Sequence, residues 1–285
     1  MDHKPVKNGE DEVITINIQP YITPISILLS AIIIASSILM GLNNVATAFK
    51  GGVTTTAGTT TTGTTTTDTA TGAVTVSKDQ VAALFNDSSN ITFGDTSKKV
   101  LFAEFSDPSC PYCHIAAGKN GELNKSAGTT FTLVADGGTY VAPVVEFKKL
   151  VDSGEAAYVW KYTNGHGNGE MGSKAMYCAH EQGKFWEVHD LLYSNAGYNL
   201  LNNTVKNEKS QAGALADFLA NAVDKSFMKG CLEGTKYDSK LGTDQSEGAT
   251  LGVSGTPGFF INETNFAGAY SYTDMQSVVE TALAN

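Results

Sequence analysis

Arginine is absent from this 285-residue chain: all 19 basic side chains are lysine, set against 29 acidic ones, for a formal net charge of -10. Phosphate backbones are gripped by basic patches and by the planar fork of arginine, so a nucleic-acid partner is excluded. Cysteine is scarce, with four in the whole chain. Only two of them lie close in sequence, so a zinc site built from two CxxC halves is excluded too. Charge is missing altogether between Glu12 and Lys50, and that gap marks an apolar stretch rather than a globular surface.

What is present centres on Cys110-Pro111-Tyr112-Cys113. Two thiols separated by two residues sit one helical turn apart, close enough for the second to resolve a mixed disulfide formed by the first. An apolar run at 100–105 leads into the pair, and residues 113–117 can open a helix. With Cys110 as its cap, free backbone N–H groups and the positive helix end favour the thiolate. Pro111 then takes the first helical position, where its missing N–H costs nothing. Cys110 is the expected nucleophile and Cys113 the shielded resolving thiol. Three other readings compete: haem attachment through Cys110, Cys113 and His114, zinc with Cys178 and His180 as further ligands, and a static disulfide. The redox dithiol needs no cofactor and no metal.

Taken in order, residues 1–21 read as a short polar tail on the cytoplasmic side. Residues 22–42 are apolar over a length that crosses a hydrocarbon core of about 30 Å. A membrane anchor is expected, with a signal peptide cleaved after Ala46-Thr47-Ala48 as the alternative. Either exports the remainder of the chain. In the linker at 43–77, 14 of the 25 residues from 51 to 75 are threonine, a composition that cannot bury a core. Sequons at Asn86, Asn90, Asn124, Asn202 and Asn262 add little, because a chain this rich in Asn, Ser and Thr forms them by chance.

From residue 78 the pattern turns globular. A short helix is expected at 77–85, an edge strand at 91–93 and a buried strand at 100–105, on which Glu104 is the odd residue. It either faces solvent or is a partly buried proton acceptor that helps Cys113 lose its proton. Residues 129–134 and 139–141 around Asp136-Gly137-Gly138 predict a hairpin. Pro143 then opens a helix ending at Gly154, and 156–162 reads as a central strand. A helical insertion is expected at 173–250, with Phe185, Val188 and Leu192 on one helix face and Leu215, Phe218, Leu219 and Ala222 on another. Cys178 and Cys231 both fall in it. A structural disulfide between them is favoured over two free thiols or a second redox relay. His166, His180 and His189 lack a ligand spacing and read as surface or satisfied histidines. Finally, Gly255-Thr256-Pro257 precedes two strands and a helix opened by Ser271 and Asp274.

The strand feeding Cys110-Pro111-Tyr112-Cys113, the insertion carrying Glu181-Gln182-Gly183-Lys184-Phe185-Trp186, and Gly255-Thr256-Pro257 before the last strands resemble the DsbA-like thiol:disulfide oxidoreductases of the thioredoxin superfamily. The resemblance covers residues 78–285. It implies an α/β thioredoxin-like fold with a helical insertion, a cis Pro257 facing the dithiol, and a Thr256 backbone that pairs with an extended substrate peptide. Pro111, Tyr112 and His114 would join Thr256 and Pro257 in contacting substrate, and Glu104 would be the family's buried acid. The Pro-Tyr dipeptide, shared with glutaredoxins, and the inserted segment at about 120–142 depart from the best-known members. The expected activity is membrane-anchored, extracytoplasmic disulfide exchange, most readily oxidation, on exported cysteine-containing proteins, with a membrane or soluble redox partner. Reduction or isomerisation by the same dithiol, and a redox-silent peptide-binding module, are the alternatives.

Overall fold

The computed structural model describes residues 75–285. The expectations for the tail at 1–21, the span at 22–42 and nearly all of the linker at 43–77 lie outside the described residues. Among those described, no helix is long and apolar enough to cross a membrane.

The chain enters helix α1 (Lys78–Ala83), where Ser77 and Gln80 bond each other's backbone N–H in a reciprocal cap. Strand β1 (Ile91–Phe93) follows, then β2 (Val100–Ser106), α2 (Pro111–Ala117), α3 (Gly121–Ser126), α4 (Pro143–Asp152) and β3 (Ala156–Tyr162). A run of helices comes next: α5 (Glu170–Glu181), α6 (Phe185–Leu192), α7 (Asn195–Asn199), α8 (Ala212–Phe218), α9 (Lys225–Glu233) and α10 (Asp238–Thr250). The last block is β4 (Gly258–Ile261), β5 (Thr264–Ala267) and α11 (Tyr272–Ala284).

The five strands form one sheet in the order β1-β3-β2-β4-β5. β2 and β3 run parallel, with Glu104 opposite Trp160, and the other neighbours are antiparallel. Every residue of β2 and β3 is buried, as strands covered on both faces must be. Alternation along β2 divides its side chains. Phe102 joins Tyr158, Trp160 and Phe259 in the core beneath the helical insertion, while Leu101, Ala103 and Phe105 meet Val81, Leu84 and Leu251 on the opposite face. Cys178 on α5 is bonded to Cys231 on α9.

Two expectations are corrected. Residues 129–141 form no hairpin: they make two single 3-10 turns, Thr129–Phe131 and Val134–Asp136, joined to Tyr140 by one isolated parallel bridge at Leu133. Backbone groups a hairpin would pair are met locally: the Gly138 N–H donates to the Leu133 carbonyl, the Tyr140 N–H to that of Thr132, and the buried Asn124 side chain to that of Phe131. The stripe assigned to one helix around 215–222 also breaks. α8 stops at Phe218, and Leu219 and Ala222 pack against the core from the turn beyond it.

Candidate functional site: a dithiol facing a cis proline

β2 ends at Ser106, and the next turn delivers Cys110 to the cap position just before α2. Asp107 builds that turn: its Oδ1 accepts from the Ser109 N–H and hydroxyl, each at 2.7 Å, and its Oδ2 accepts from the N–H groups of Gly165 and His166, each at 2.8 Å. The loop leaving β3 is thereby fastened to the dithiol loop. Sequence reasoning passed over Asp107, although Asp-x-Ser ahead of a helix cap is a legible turn signal. Gly165 is needed where it is, because a Cβ there would lie 1.7 Å from the Thr256 hydroxyl.

Cys110 caps α2 with extended backbone, and Pro111 takes the first helical position. Both thiols are unbonded. Cys110 is 4% exposed and its Sγ lies 3.6 Å from the Thr256 carbonyl oxygen, to which the thiol donates. The Thr256–Pro257 peptide bond is cis. Residues 110 and 257, far apart in sequence, thus meet at one place. The Cys110 thiol is brought down to about 6. The Cys113 thiol contributes most, donating to the sulfur, and the Thr256 hydroxyl and the N–H groups of Cys113 and Tyr112 add to it against the opposing effect of burial. That hydroxyl is buried with no hydrogen-bond partner of normal geometry among the described residues, which leaves it free to turn toward the sulfur. Cys113 is fully buried, and burial pushes its thiol well above the ordinary value. The Asp107 N–H points at its sulfur from 3.4 Å.

Glu104 is fully buried, not at the solvent face. Burial raises its carboxyl despite a 2.5 Å hydrogen bond from the Tyr158 hydroxyl to Oε2. Oε1 has no partner among the described residues. Tyr158 and Tyr193 are each influenced by charge on both Cys113 and Glu104, which places the four groups in one neighbourhood.

Tyr112 is half exposed beside the dithiol, its ring edge-on to Phe131 at 6.0 Å. His114 is corrected. It is wholly buried, with Nδ1 2.9 Å from the Tyr193 carbonyl oxygen and Nε2 2.8 Å from that of Pro108, so it braces the loop from within and cannot touch a substrate. Burial lowers its pKa to about 4, so the neutral ring donates to only one of the two carbonyls. No group of three or more His, Cys, Asp or Glu that could hold a metal occurs among the described residues. Cys178 is in the disulfide, apart from the dithiol.

A family model described as Thioredoxin matches residues 144–281, beginning past the dithiol and including the cis proline. BdbD from Bacillus subtilis superposes with a TM-score of 0.51 at 16% identity, over 69% of this chain and 94% of BdbD. α-DsbA1 from Wolbachia pipientis superposes with a TM-score of 0.53 at 16% identity, over 72% and 96% of the two chains. In sequence, the Na(+)/H(+) antiporter NhaA 3 of Salinispora tropica is 26% identical over 195 residues, 67% of this chain and 24% of the antiporter. The chain therefore spans about a quarter of the length of the curated relatives it matches.

Proposed function

Because the chain has the DsbA-like thioredoxin fold, we propose that it is a thiol:disulfide oxidoreductase that introduces disulfide bonds into exported proteins through Cys110 and Cys113. One observation carries the reading. The sulfur with the lowered pKa lies 3.6 Å from the backbone carbonyl of the residue before the cis proline.

In the oxidising direction a substrate thiolate attacks Cys110 of the Cys110–Cys113 disulfide. The S–S bond breaks, and Cys113 leaves as a thiolate that takes up a proton, since burial strongly disfavours its charge. A second substrate thiolate then attacks its partner sulfur in the mixed disulfide, and Cys110 leaves as the stabilised thiolate. The substrate loses two electrons to the enzyme dithiol, and a separate redox partner, membrane-bound or soluble, removes them. Thr256 pairs with the peptide backbone, Pro257 shapes the groove floor, and Pro111 and Tyr112 form its rim. The stabilised Cys110 thiolate favours the reduced enzyme and so makes the disulfide form an oxidant.

An apolar stretch at 22–42 and a threonine-rich linker support a membrane-anchored domain outside the cytoplasm, and the Cys178–Cys231 disulfide suits an oxidising compartment. Residues 78–285 form the catalytic domain on this reading.

The test is to mix the oxidised protein with a reduced two-cysteine peptide and follow peptide disulfide formation by mass spectrometry. Stoichiometric transfer, lost in Cys110→Ala, is expected. An unreactive Cys110–Cys113 pair leaves the peptide-binding module as the better account. Equilibration against glutathione then fixes the direction, and a dithiol that stays oxidised under the glutathione poise of an exporting compartment would mean a reductase.

A further inference from the structure

Cys113 and Glu104 are both fully enclosed, yet each cycle adds or removes a proton at Cys113. While a peptide is bonded to Cys110 and docked on Thr256 it covers the front of the site, so that proton needs another way to water. A second set of groups lies behind the dithiol. His189 on α6 is 1% exposed, with Nδ1 3.0 Å from Oδ1 of Asp190. Asp190 is half exposed and is tied in turn to Lys119 at 2.6 Å.

A neutral imidazole that donates from Nδ1 to a carboxylate presents Nε2 as a bare acceptor. That nitrogen is buried and has no partner among the described residues, the same condition as Oε1 of Glu104. The two groups are near enough that charge on His189 acts on the Glu104 carboxyl. Tyr193 packs beside His189, its ring 4.4 Å from the His189 ring, and its hydroxyl is 2.9 Å from Oγ of Ser106, two positions along β2 from Glu104. On its outer side His189 lines a cavity of about 130 Å³ shared with Trp186, Lys119 and α4, room for several waters.

We propose that His189 is the proton gate of the buried site, passing a proton between the Glu104 carboxyl and the water of this cavity, with Asp190 receiving or returning the proton at Nδ1. The inference rests on the oxidoreductase reading and deepens it. When Cys113 attacks a mixed disulfide at Cys110, its S–H proton goes to the Glu104 carboxylate and from there through water to Nε2, while the imidazolium so formed gives up its Nδ1 proton to the Asp190 carboxylate, which lines the cavity and passes it to cavity water. The new S–S bond and the released substrate thiolate balance the electrons. When Cys113 is the leaving group, the same proton runs inward. The titratable and charged groups facing His189 are Asp190 on its own helix, Glu104 on β2, the neutral His114 on α2 and Lys119 in the turn after it, and Lys148, Lys149 and Asp152 on α4 across the cavity. His189 acts through Glu104 and is a positioning and proton-carrying residue, not one that touches substrate.

The test uses the reduced protein loaded with glutathione on Cys110 and follows glutathione release as Cys113 resolves the mixed disulfide, across pH. In His189→Asn, release is expected to slow about tenfold or more and to recover as imidazole is added, with more basic imidazoles recovering it further, while iodoacetamide still alkylates free Cys110 at the unaltered rate. Release at the unaltered rate, or a slow release that imidazole does not restore, overturns the proposal. If that variant does not fold, the unaltered protein decides in mixed light and heavy water. A bowed dependence of the rate on deuterium fraction marks several protons in flight, and a straight line overturns the relay. Failure of the unaltered protein to release glutathione at all sinks the oxidoreductase reading itself, an outcome distinct from failure of the relay.

Discussion

At the scale of single residues, the chemistry turns on how differently two thiols one helical turn apart are treated. Cys110 receives hydrogen bonds and Cys113 is walled in, so their pKa values are driven apart. The first consequence is kinetic. Only the thiolate is alkylated, so iodoacetamide uptake at Cys110 should rise with pH through a midpoint near 6 and level off above it, whereas an ordinary thiol rises near about 8.5. Thr256→Val removes the hydroxyl that helps hold the Cys110 pKa down and should move that midpoint up. Glu104 gives the opposite sign. Its folded pKa is raised, so the stability it contributes is complete below the ordinary carboxylate range and is lost as pH rises through the folded value. Glu104→Gln, which stays neutral, should therefore match the unaltered protein in acid and exceed it at alkaline pH, read from urea melts at both ends. The same variant should slow resolution by Cys113.

Among the elements, the attachment of α10 to the sheet depends on a buried charge cluster. Lys161 on β3 has no exposure and meets Asp244 at 2.9 Å and Glu247 at 2.5 Å, both from α10, together with the Asn90 side chain at 2.6 Å. Asp244 also accepts from the Tyr177 hydroxyl and the Tyr162 N–H, which ties α5 and β3 to it. Asp244→Ala would leave the Lys161 ammonium with Glu247 and Asn90 alone and the Tyr177 hydroxyl and Tyr162 N–H without an acceptor, and should cost about 3–5 kcal/mol, whereas Asp244→Asn, which keeps an acceptor in place, should cost less. Chemical denaturation of the two variants checks both. The same scale explains what the sequence made legible. β2, β3, the α6 face and the caps of α1 and α2 follow local rules: alternation, helical spacing, and a serine or proline at the right position. The segment at 129–141 has strand-forming residues but no strand to pair with, because β2 lies between β3 and β4 and the free edges belong to β1 and β5. Propensity without a neighbour yields turns. His114 and His189 were beyond sequence reading for a related reason. Helical spacing tells which residues share a face, but not which face another layer covers.

Over the whole molecule, redox state and stability are one quantity measured in two ways. The Cys110 thiolate is stabilised only in the folded dithiol form. Its folded pKa lies below the unfolded one, so that contribution is present above the ordinary thiol range and is lost as pH falls through about 6. The stability of the dithiol form relative to the disulfide form should therefore shrink between pH 9 and pH 6 and change little below, as paired thermal melts will show. The Cys178–Cys231 bond stabilises the helical layer by a separate route. Its cysteines are 53 positions apart, and closing a loop of that size is worth about 4 kcal/mol in the chain-entropy model. Replacing both cysteines by alanine should lower stability by about 2–5 kcal/mol without moving the alkylation midpoint of Cys110. A midpoint that moved with it would mean that the helical layer shapes the dithiol directly.

The pairing of Glu104 with Phe259 and of Phe102 with Ile261 carries a consequence for how the protein comes into being. A ribosome delivers the dithiol well before the cis-proline segment, so on the proposed reading a nascent chain has its two thiols in place before it has anywhere to seat a client. Contacts that span so much sequence form late. Competence therefore arrives in a single closing event, when β4 slots beside β2, and a chain released before residue 256 would carry sulfur chemistry with no means of choosing what to act on.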